Sequence, residues 1–351
     1  MGIVVVSCSK SSNDTEPLRD YDAQYTTDLA TIEKFMQTHY MTVTNNLGGI
    51  DDQNVTFTLI PEGGTQTSIW SQNTYPILTR LVTLKQSDNV ERTYKMYYIK
   101  LREGSGLNSK SPSNVDRVLT AYKGEYIFES VTTVGTVETR TIISNEFETI
   151  VNPAQFFLTS VIRGWSEIFP QFKTGNYTSN SDGTISYNDF GAGIMFIPSG
   201  LGYYGSAQGG IPAYSPLVFN FKLFEVQRVD NDGDGIDSYL EDKGSPGNPG
   251  VADGYVYSLA KDVVNNDDTD GDEIPDFLDI DDDGDNYTTK SETSYKNPAE
   301  LPEKTRYYPF SGKSVDDPLT PYVDETKGVP DCTNDFTSPT RIRKYLNPMC
   351  H

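Results

Sequence analysis

Residues 161–165 of this chain read Val-Ile-Arg-Gly-Trp, and residues 197–205, further along, read Ile-Pro-Ser-Gly-Leu-Gly-Tyr-Tyr-Gly. A tryptophan behind a tight glycine, with two β-branched residues before it, is suited to the floor and wall of an apolar pocket. The second stretch is suited to its rim. Taken singly, Trp165 is more often a core residue than a site residue, so that alternative stands. We predict that the rest of the chain tethers, frames or positions this pocket.

The composition and charge of the chain limit the classes of protein to which it can belong. The chain has 351 residues, of which 36% are hydrophobic and 12% aromatic, so it has material for at least one packed core and the length of two or three domains. Its formal net charge is −22, and 20 Asp and Glu residues against three Lys place −17 of that in residues 230–292. Without a long Lys/Arg run, electrostatic binding to nucleic acid is excluded. Divalent cations are the better partners.

The N-terminus resembles a targeting signal. Residues 5–8 read Val-Val-Ser-Cys after an apolar run, which resembles the lipobox of bacterial lipoprotein signal peptides, where the cysteine becomes the lipidated N-terminus. Since no Lys or Arg precedes the run, we interpret the numbered start as lying inside a longer leader. The alternative for Cys8 is a buried free cysteine. We assign residues 1–20 to a signal remnant and tether, with acyl chains as the membrane anchor.

Hydrophobic periodicity divides the remainder. Apolar residues recur at helical spacing over residues 27–40, and strand-like runs rich in β-branched and aromatic residues follow, so residues 21–93 are predicted to form a small α+β domain. Strands are predicted at 116–124, 193–197 and 216–226, around a short helix near Trp165. The predicted fold class is therefore α+β, with an antiparallel sheet wrapped on a short helix.

The order of several motifs resembles a known family. Tyr-Lys-Gly at 122–124, Ile-Phe-Glu-Ser at 127–130, Val-Ile-Arg-Gly-Trp at 161–165, Ile-Pro-Ser at 197–199, Gly-Ile-Pro at 210–212 and Leu-Val-Phe at 217–219 look like an FKBP-type peptidyl-prolyl cis-trans isomerase over residues 94–227. The resemblance implies catalysis without a cofactor or nucleophile. The enzyme would lower the barrier of ~18–20 kcal/mol that amide resonance sets against peptide-bond rotation.

The resemblance also assigns pocket residues. Trp165 would lie under the substrate proline, Tyr204 would offer its hydroxyl to a substrate carbonyl, and the backbone N–H of Ile162 would bind a second carbonyl. Glu129 stands where the family usually has Asp, which lengthens the acidic arm. The full set that the resemblance implies is Tyr122, Phe128, Glu129, Val161, Ile162, Trp165, Tyr204, Ile211 and Phe219. Residues 131–151 and 176–190 exceed the compact family pattern and are predicted to be loops or hairpins near the sheet edge, covering the pocket or binding a partner.

Residues 228–292 contain three acidic frames, which begin at Asp230, Asp268 and Asp281 and have oxygen side chains at positions 1, 3, 5 and 12. Position 6 is Gly235 in the first frame, whereas Glu273 and Asn286 replace the usual glycine in the other two. This spacing wraps carboxylates around one hard cation such as Ca²⁺. The frames resemble thrombospondin type 3 repeats, which implies structural calcium. A solvated acidic linker is the alternative, and a rigid spacer and a docking surface are the two functional interpretations. The predicted ligands are Asp230, Asp232, Asp234, Glu241, Asp268, Asp270, Asp272, Asp276, Asp279, Asp281, Asp283, Asp285 and Glu292.

Residues 293–351 are rich in Pro and are too poor in aliphatic residues to build a core. In an oxidising compartment Cys332 and Cys350 would pair, and the basic run at 340–345 would meet the acidic module. With only His39 and His351 in the chain, a zinc site is not expected.

These features lead to two hypotheses of different class. The first is a lipid-anchored, extracytoplasmic FKBP-type isomerase or folding factor of the outer membrane, acting on proline-containing polypeptide clients. The alternative is a non-enzymatic accessory subunit of an outer-membrane assembly complex or of a secretion complex of the type IX kind. A proline-peptide isomerisation assay discriminates between them.

Overall fold

A computed structural model describes residues 18–244, 252–256, 267–296, 302–310, 328–336, 338 and 340–350. The lipidation predicted at Cys8, with the tether up to residue 17, lies outside the described residues. Within the described ranges, no helix has the length and apolar character to cross a membrane.

The described residues form more strand than helix. Their three α-helices within these ranges are α1 (Tyr21–Thr38), α2 (Arg163–Ile168) and α3 (Thr289–Glu292). The strands are β1 (His39–Val43), β2 (Val55–Leu59), β3 (Ile77–Lys85), β4 (Glu91–Arg102), β5 (Arg117–Val134), β6 (Val137–Phe157), β7 (Asn176–Ser179), β8 (Ile185–Asn188), β9 (Gly191–Ile197), β10 (Leu217–Gln227), β11 (Ser294–Lys296) and β12 (Thr305–Tyr307).

One six-stranded antiparallel sheet organises the fold, in the order β3-β4-β9-β10-β5-β6. Because side chains alternate across a strand, β10 serves both faces of the sheet. Phe219 and Phe221 pack in the cluster that contains Trp165 of α2, whereas Val218 packs in the cluster that contains Phe35 of α1. The sheet therefore has an apolar layer on each side.

The N-terminal residues complete this sheet. The predicted boundary at residue 93 falls inside β4, and β4 pairs with both β3 and β9. Ile32, Phe35 and Met36 of α1 are fully buried against the sheet face opposite α2. The prediction of a separate domain over residues 21–93 is therefore corrected, because strand pairing and apolar burial join these residues to the core that follows them.

Asp28 fastens α1 to the turn that follows β9. It is 1% exposed, and one carboxylate oxygen accepts hydrogen bonds from the Ser199 N–H (2.7 Å) and the Ser199 hydroxyl (2.6 Å). The other oxygen accepts a hydrogen bond from the Gln24 side-chain amide at 2.7 Å. Burial nevertheless dominates and raises the pKa of Asp28 to about 6.

We expect Asp28→Asn to change the pH dependence of stability. A folded-state pKa above the unfolded value means that the folded state binds the proton more tightly, so the contribution to stability is present below about pH 4 and is lost as pH rises through 6. From pH 4 to 7, the free energy of unfolding of Asp28→Asn should gain about 2.5 kcal/mol relative to wild type. Urea denaturation across that range measures it, with Asp22→Asn on the exposed face of α1 as control. A difference that stays constant with pH would contradict the prediction.

Both predicted inserts are hairpins. β5 and β6 pair continuously out to Val134 and Val137, and β6 forms one edge of the sheet. Residues 131–151 therefore form the tip of this hairpin and most of β6, which returns along β5. The second stretch folds as the β7–β8 hairpin. Valines near the tip of the β5–β6 hairpin are exposed.

The C-terminal region contains two small apolar clusters, and the first of them packs it on the rest of the described chain. Val256 and Phe277 pack against Val115, which precedes β5. Ile236, Val329 and Tyr345 form the second cluster, which joins the acidic frames to the tail. Cys332 and Cys350 form a disulfide with a Cα–Cα distance of 5.2 Å.

Candidate functional site

A cavity of about 420 Å³ opens between α2 and strands β5, β6 and β10 of the sheet. Its walls are aromatic and aliphatic, with one carboxylate. The lining residues are Tyr122, Phe147, Glu148, Phe156, Ser160, Val161, Ile162, Trp165, Tyr203 and Phe219.

Trp165 forms the floor of this pocket because α2 lies close to the sheet. A Cβ on Gly164 would come within 2.7 Å of the Ile197 side chain, so glycine is required for this approach. The centre of the Trp165 ring lies 4.8 Å from the centre of the Tyr122 ring and 5.3 Å from that of Phe219. Both pairs are edge to face, with an angle of 89° between the ring planes. Edge-to-face contacts of this kind hold aromatic rings in fixed orientations.

The polar end of the pocket is built from two strands. The Tyr122 hydroxyl on β5 donates a hydrogen bond to the Glu148 carboxylate on β6. Burial, and then the Glu148 carboxylate, raise the pKa of Tyr122 well above its usual range. Burial beside Glu148 also raises the pKa of Tyr203, which stands at the mouth and is 37% exposed. Both phenols therefore stay protonated and can donate hydrogen bonds at neutral pH.

The structure brings together Tyr122, Val161, Ile162, Trp165 and Phe219 of the predicted set. Four other predicted residues lie elsewhere. They are Phe128, Glu129, Tyr204 and Ile211.

Phe128 and Glu129 are corrected to Phe147 and Glu148. β5 continues straight through Phe128 into the exposed hairpin, where Glu129 pairs with Arg140 at 2.7 Å on the surface. The register pairs Gly124 with Glu148, and a Cβ on Gly124 would meet the Phe147 ring at 2.5 Å. The chain has a Phe-Glu dipeptide on each strand of the hairpin, and the second of them returns to the pocket. The two dipeptides have the same sequence, so only the register of the hairpin between them determines which one lies at the pocket.

Tyr204 and Ile211 are also outside the pocket. Tyr204 has a backbone φ of +47°, its ring stacks on Tyr21 of α1 at 4.2 Å, and its hydroxyl donates to the Arg19 carbonyl. The Tyr204 hydroxyl, predicted to bind substrate, is therefore hydrogen-bonded to the N-terminal segment. The neighbouring Tyr203 lines the pocket instead. Ile211 is 4% exposed and packs in the core.

Tyr255, from the acidic region, supports the helix that carries Trp165. Its hydroxyl donates to the Glu167 carbonyl of α2 and accepts from the Gln171 amide, both at 2.7 Å. The Arg80 guanidinium lies 3.6 Å from the centre of the Tyr255 ring and pairs with the Glu167 carboxylate at 2.9 Å. The acidic region, residues 228–292, therefore contacts the helix that forms the pocket floor, through Tyr255.

The first three acidic positions of each frame converge. Carboxylate oxygens of each triplet lie within 4.8 Å of one another, and the triplets are Asp230, Asp232 and Asp234, then Asp268, Asp270 and Asp272, then Asp281, Asp283 and Asp285. Position 6 has positive φ in all three frames, at Gly235 (106°), Glu273 (82°) and Asn286 (74°). The N–H at each of these positions donates to the first aspartate of its frame. The frames therefore share one turn, although two lack the expected glycine.

The later positions diverge between frames. Asp276, predicted as a ligand, has its carboxylate engaged by Lys243 and by Thr269. Asp279 accepts a hydrogen bond from the Asp281 N–H at 2.9 Å and does not join the triplet of its frame. The spacing alone predicts that Asp276 and Asp279 bind a cation. In the structure the Asp276 carboxylate instead accepts from Lys243, and the Asp279 carboxylate accepts from the backbone at Asp281. Asp282, which was not predicted, lies beside Asp234 and Glu241.

Several carboxylates in these frames are buried and have oxygens without a hydrogen-bond partner among the described residues. Both carboxylate oxygens of Glu241 and of Glu292, and one of Asp232, have no hydrogen-bond partner among the described residues. Burial raises the pKa of Glu241 to about 11, that of Glu292 to about 8 and that of Asp232 to about 7. Uncompensated buried carboxylates are costly, and a bound cation reverses that cost. An all-oxygen donor set of this kind fits Ca²⁺.

Comparison with known proteins gives matches to two different parts of the chain. The family described as BamM C-terminal matches residues 231–322. The FKBP-type peptidyl-prolyl cis-trans isomerase FkpA of Escherichia coli strain K12 is 31% identical over 146 residues, which is 41% of this chain and 48% of that protein. FkpA of Escherichia coli O157:H7 matches to the same extent. The chain spans about half the length of these curated relatives.

Two solved structures also match. A peptidyl-prolyl cis-trans isomerase from Pseudomonas syringae pv. tomato is 22% identical, with 42% of this chain and 81% of that chain covered and a TM-score of 0.26. FkpA from Escherichia coli is 25% identical, with 41% and 51% covered and a TM-score of 0.26. The sequence match to FkpA, together with an antiparallel sheet packed on a short helix, supports an FKBP-like domain within this chain.

Proposed function

We propose that this chain is a peptidyl-prolyl cis-trans isomerase of the FKBP type that acts on exported polypeptides in a bacterial cell envelope. The observation that carries the proposal is the aromatic pocket floored by Trp165 and open to solvent beside Tyr203. The size and walls of the pocket suit a proline ring with its neighbouring peptide groups.

The chemistry follows from this environment. Twisting the Xaa-Pro bond breaks amide resonance and gives a state less polar than the planar imide. Aromatic walls exclude water from the imide carbonyl and thereby favour the twisted state, so shape and polarity supply the catalysis. The backbone N–H of Ile162, directly before α2, is the proposed donor to a second substrate carbonyl. Tyr122 and Glu148 provide the polar end of the same cavity.

Tyr203→Ala tests the use of this pocket. Tyr203 lines the mouth and lies outside the buried core, so its removal should leave the fold intact while exposing the bound proline to water. We expect kcat/KM on a proline-containing peptide to fall roughly tenfold, which is ~1.4 kcal/mol of transition-state stabilisation. Tyr177→Ala is the matched control, because Tyr177 is 60% exposed on the separate β7–β8 hairpin.

Absence of turnover by the folded wild-type protein would contradict the enzyme proposal. Equal activity of the Tyr203→Ala and Tyr177→Ala variants would place catalysis elsewhere.

Calcium is proposed as a structural cofactor of residues 228–292. The three carboxylate triplets and the buried, unpartnered oxygens of Glu241 and Glu292 support this assignment. The ions would neutralise a strongly acidic segment that packs against the FKBP-like domain. Lipidation at Cys8 is proposed as the membrane anchor, on the outer membrane.

A second candidate function is an accessory role in outer-membrane protein assembly, supported by the BamM C-terminal match over residues 231–322. Here the FKBP-like pocket and the acidic region would serve as docking surfaces, in an assembly complex or in a secretion complex of the type IX kind. Cellular complementation separates the two functions. If turnover is the function, Tyr203→Ala should fail to restore outer-membrane protein levels, whereas an accessory subunit would tolerate it.

A further inference from the structure

We propose that Asp234, Glu241 and Asp282 bind one Ca²⁺ ion that joins the first acidic frame to the third. A carboxylate oxygen from each residue lies within 4.8 Å of the others. Asp234 and Glu241 belong to the first frame, whereas Asp282 lies between the first two ligand positions of the third. The repeat spacing assigns no ligand role to Asp282, so this site arises from the packing of one frame on another.

All three side chains are buried away from solvent. Asp234 is 2% exposed, Glu241 3% and Asp282 1%. Five carboxylate oxygens in the group have no hydrogen-bond partner among the described residues, namely one of Asp234 and both of Glu241 and Asp282. The other Asp234 oxygen accepts a hydrogen bond from the Ile236 N–H at 2.7 Å. Three carboxylates in such proximity repel one another strongly in a medium of low dielectric constant. A cation is the partner that satisfies the three converging oxygens, one from each residue, together.

Nearby cationic side chains are engaged elsewhere. Lys243 donates to the Asp276 carboxylate and to the Thr269 hydroxyl. Lys290 donates to the Gly233 carbonyl at 2.8 Å. Tyr345, which is 2% exposed, and Ile236 cover this part of the acidic region with apolar surface. Among the described residues neither lysine donates a hydrogen bond to the three carboxylates, so the group keeps an excess of negative charge.

The donor set selects the ion. Three carboxylates with no nitrogen or sulfur donor suit Ca²⁺, which takes 6–8 oxygen ligands at ~2.3–2.6 Å in flexible geometry and binds carboxylates through one or both oxygens. Mg²⁺ keeps several of its waters and demands a regular octahedron, which a site crowded with carboxylates does not provide. Zinc favours nitrogen and sulfur ligands, and this group contains neither.

This ion would also stabilise the support of the catalytic pocket. Asp242, directly after Glu241, accepts a hydrogen bond from the Gly254 N–H at 2.7 Å. Gly254 precedes Tyr255, whose hydroxyl bonds to α2. An ion that joins the two frames would therefore stabilise the position of residues 254 and 255, and with it the hydrogen bond from Tyr255 to the helix that carries Trp165.

Calcium titration of the full chain after chelator treatment tests the shared site. By isothermal calorimetry, Asp282→Asn should bind one Ca²⁺ fewer than wild type. Glu303→Gln, which removes an exposed carboxylate outside the frames, should bind the same number as wild type. An unchanged stoichiometry for Asp282→Asn would overturn the proposal.

Thermal unfolding provides a second measurement that also guards against a folding defect. In chelator, Asp282→Asn should have a higher Tm than wild type, because it removes a repelling buried charge. In excess Ca²⁺ it should have a lower Tm, because it removes a ligand. The same order of Tm values in both conditions would overturn the shared site. Neither readout uses isomerase activity, so failure of the enzyme proposal leaves this test intact.

Discussion

Chelation of calcium is expected to lower the Tm of the full chain by about 10 °C or more. A ligand present at 1,000 times its Kd stabilises the folded state by about 4 kcal/mol per site, and each kcal/mol shifts Tm by roughly 2–4 °C in a chain region of 150–250 residues. The frames hold many buried carboxylates and little apolar core, so their folding would depend on the ions. Thermal scans in excess Ca²⁺ and in chelator measure the shift.

The specificity of that effect is checked by adding back cations. Ca²⁺ should restore the higher Tm, whereas Mg²⁺ at the same concentration should restore little of it. If chelation leaves the Tm unchanged, the acidic frames are not calcium sites and the solvated-linker alternative holds.

Glu148→Gln is expected to reduce kcat/KM by about tenfold or more. The carboxylate accepts the hydrogen bond that orients the Tyr122 hydroxyl in the pocket, and hydrogen bonds to charged groups contribute ~1.5–3 kcal/mol. An amide at this position has the shape of the carboxylate but lacks its charge. Peptide isomerisation kinetics measure the change, with circular dichroism to check folding.

Glu129→Gln is the matched control for this experiment. Glu129 follows the other phenylalanine of the hairpin, and its carboxylate pairs with Arg140 on the surface. Exposed ion pairs contribute at most ~1 kcal/mol to stability, and this one lies away from the pocket. Its removal should leave kcat/KM unchanged. The opposite result, with Glu129 required and Glu148 dispensable, would restore the assignment made from motif order.

The sequence alone was sufficient where the information is local. The floor of the pocket was predicted because Val161, Ile162 and Trp165 are neighbours on one short helix and its approach, so their relative placement needs no long-range contact. The spacing of the acidic frames was informative for the same reason, since the turn at each position 6 is set by residues within the frame. Alternation of apolar residues predicted the strands around that helix.

Tertiary structure decided what depends on pairing across the chain. The register of the long hairpin, and not the dipeptide itself, selects Phe147 and Glu148 over Phe128 and Glu129. Packing of α1 turns Tyr204 away and leaves Tyr203 at the pocket. Contact between two distant frames creates the group that contains Asp282. Local patterns set the orientation of a side chain relative to its own strand or turn, whereas strand register and packing set which distant side chain it faces.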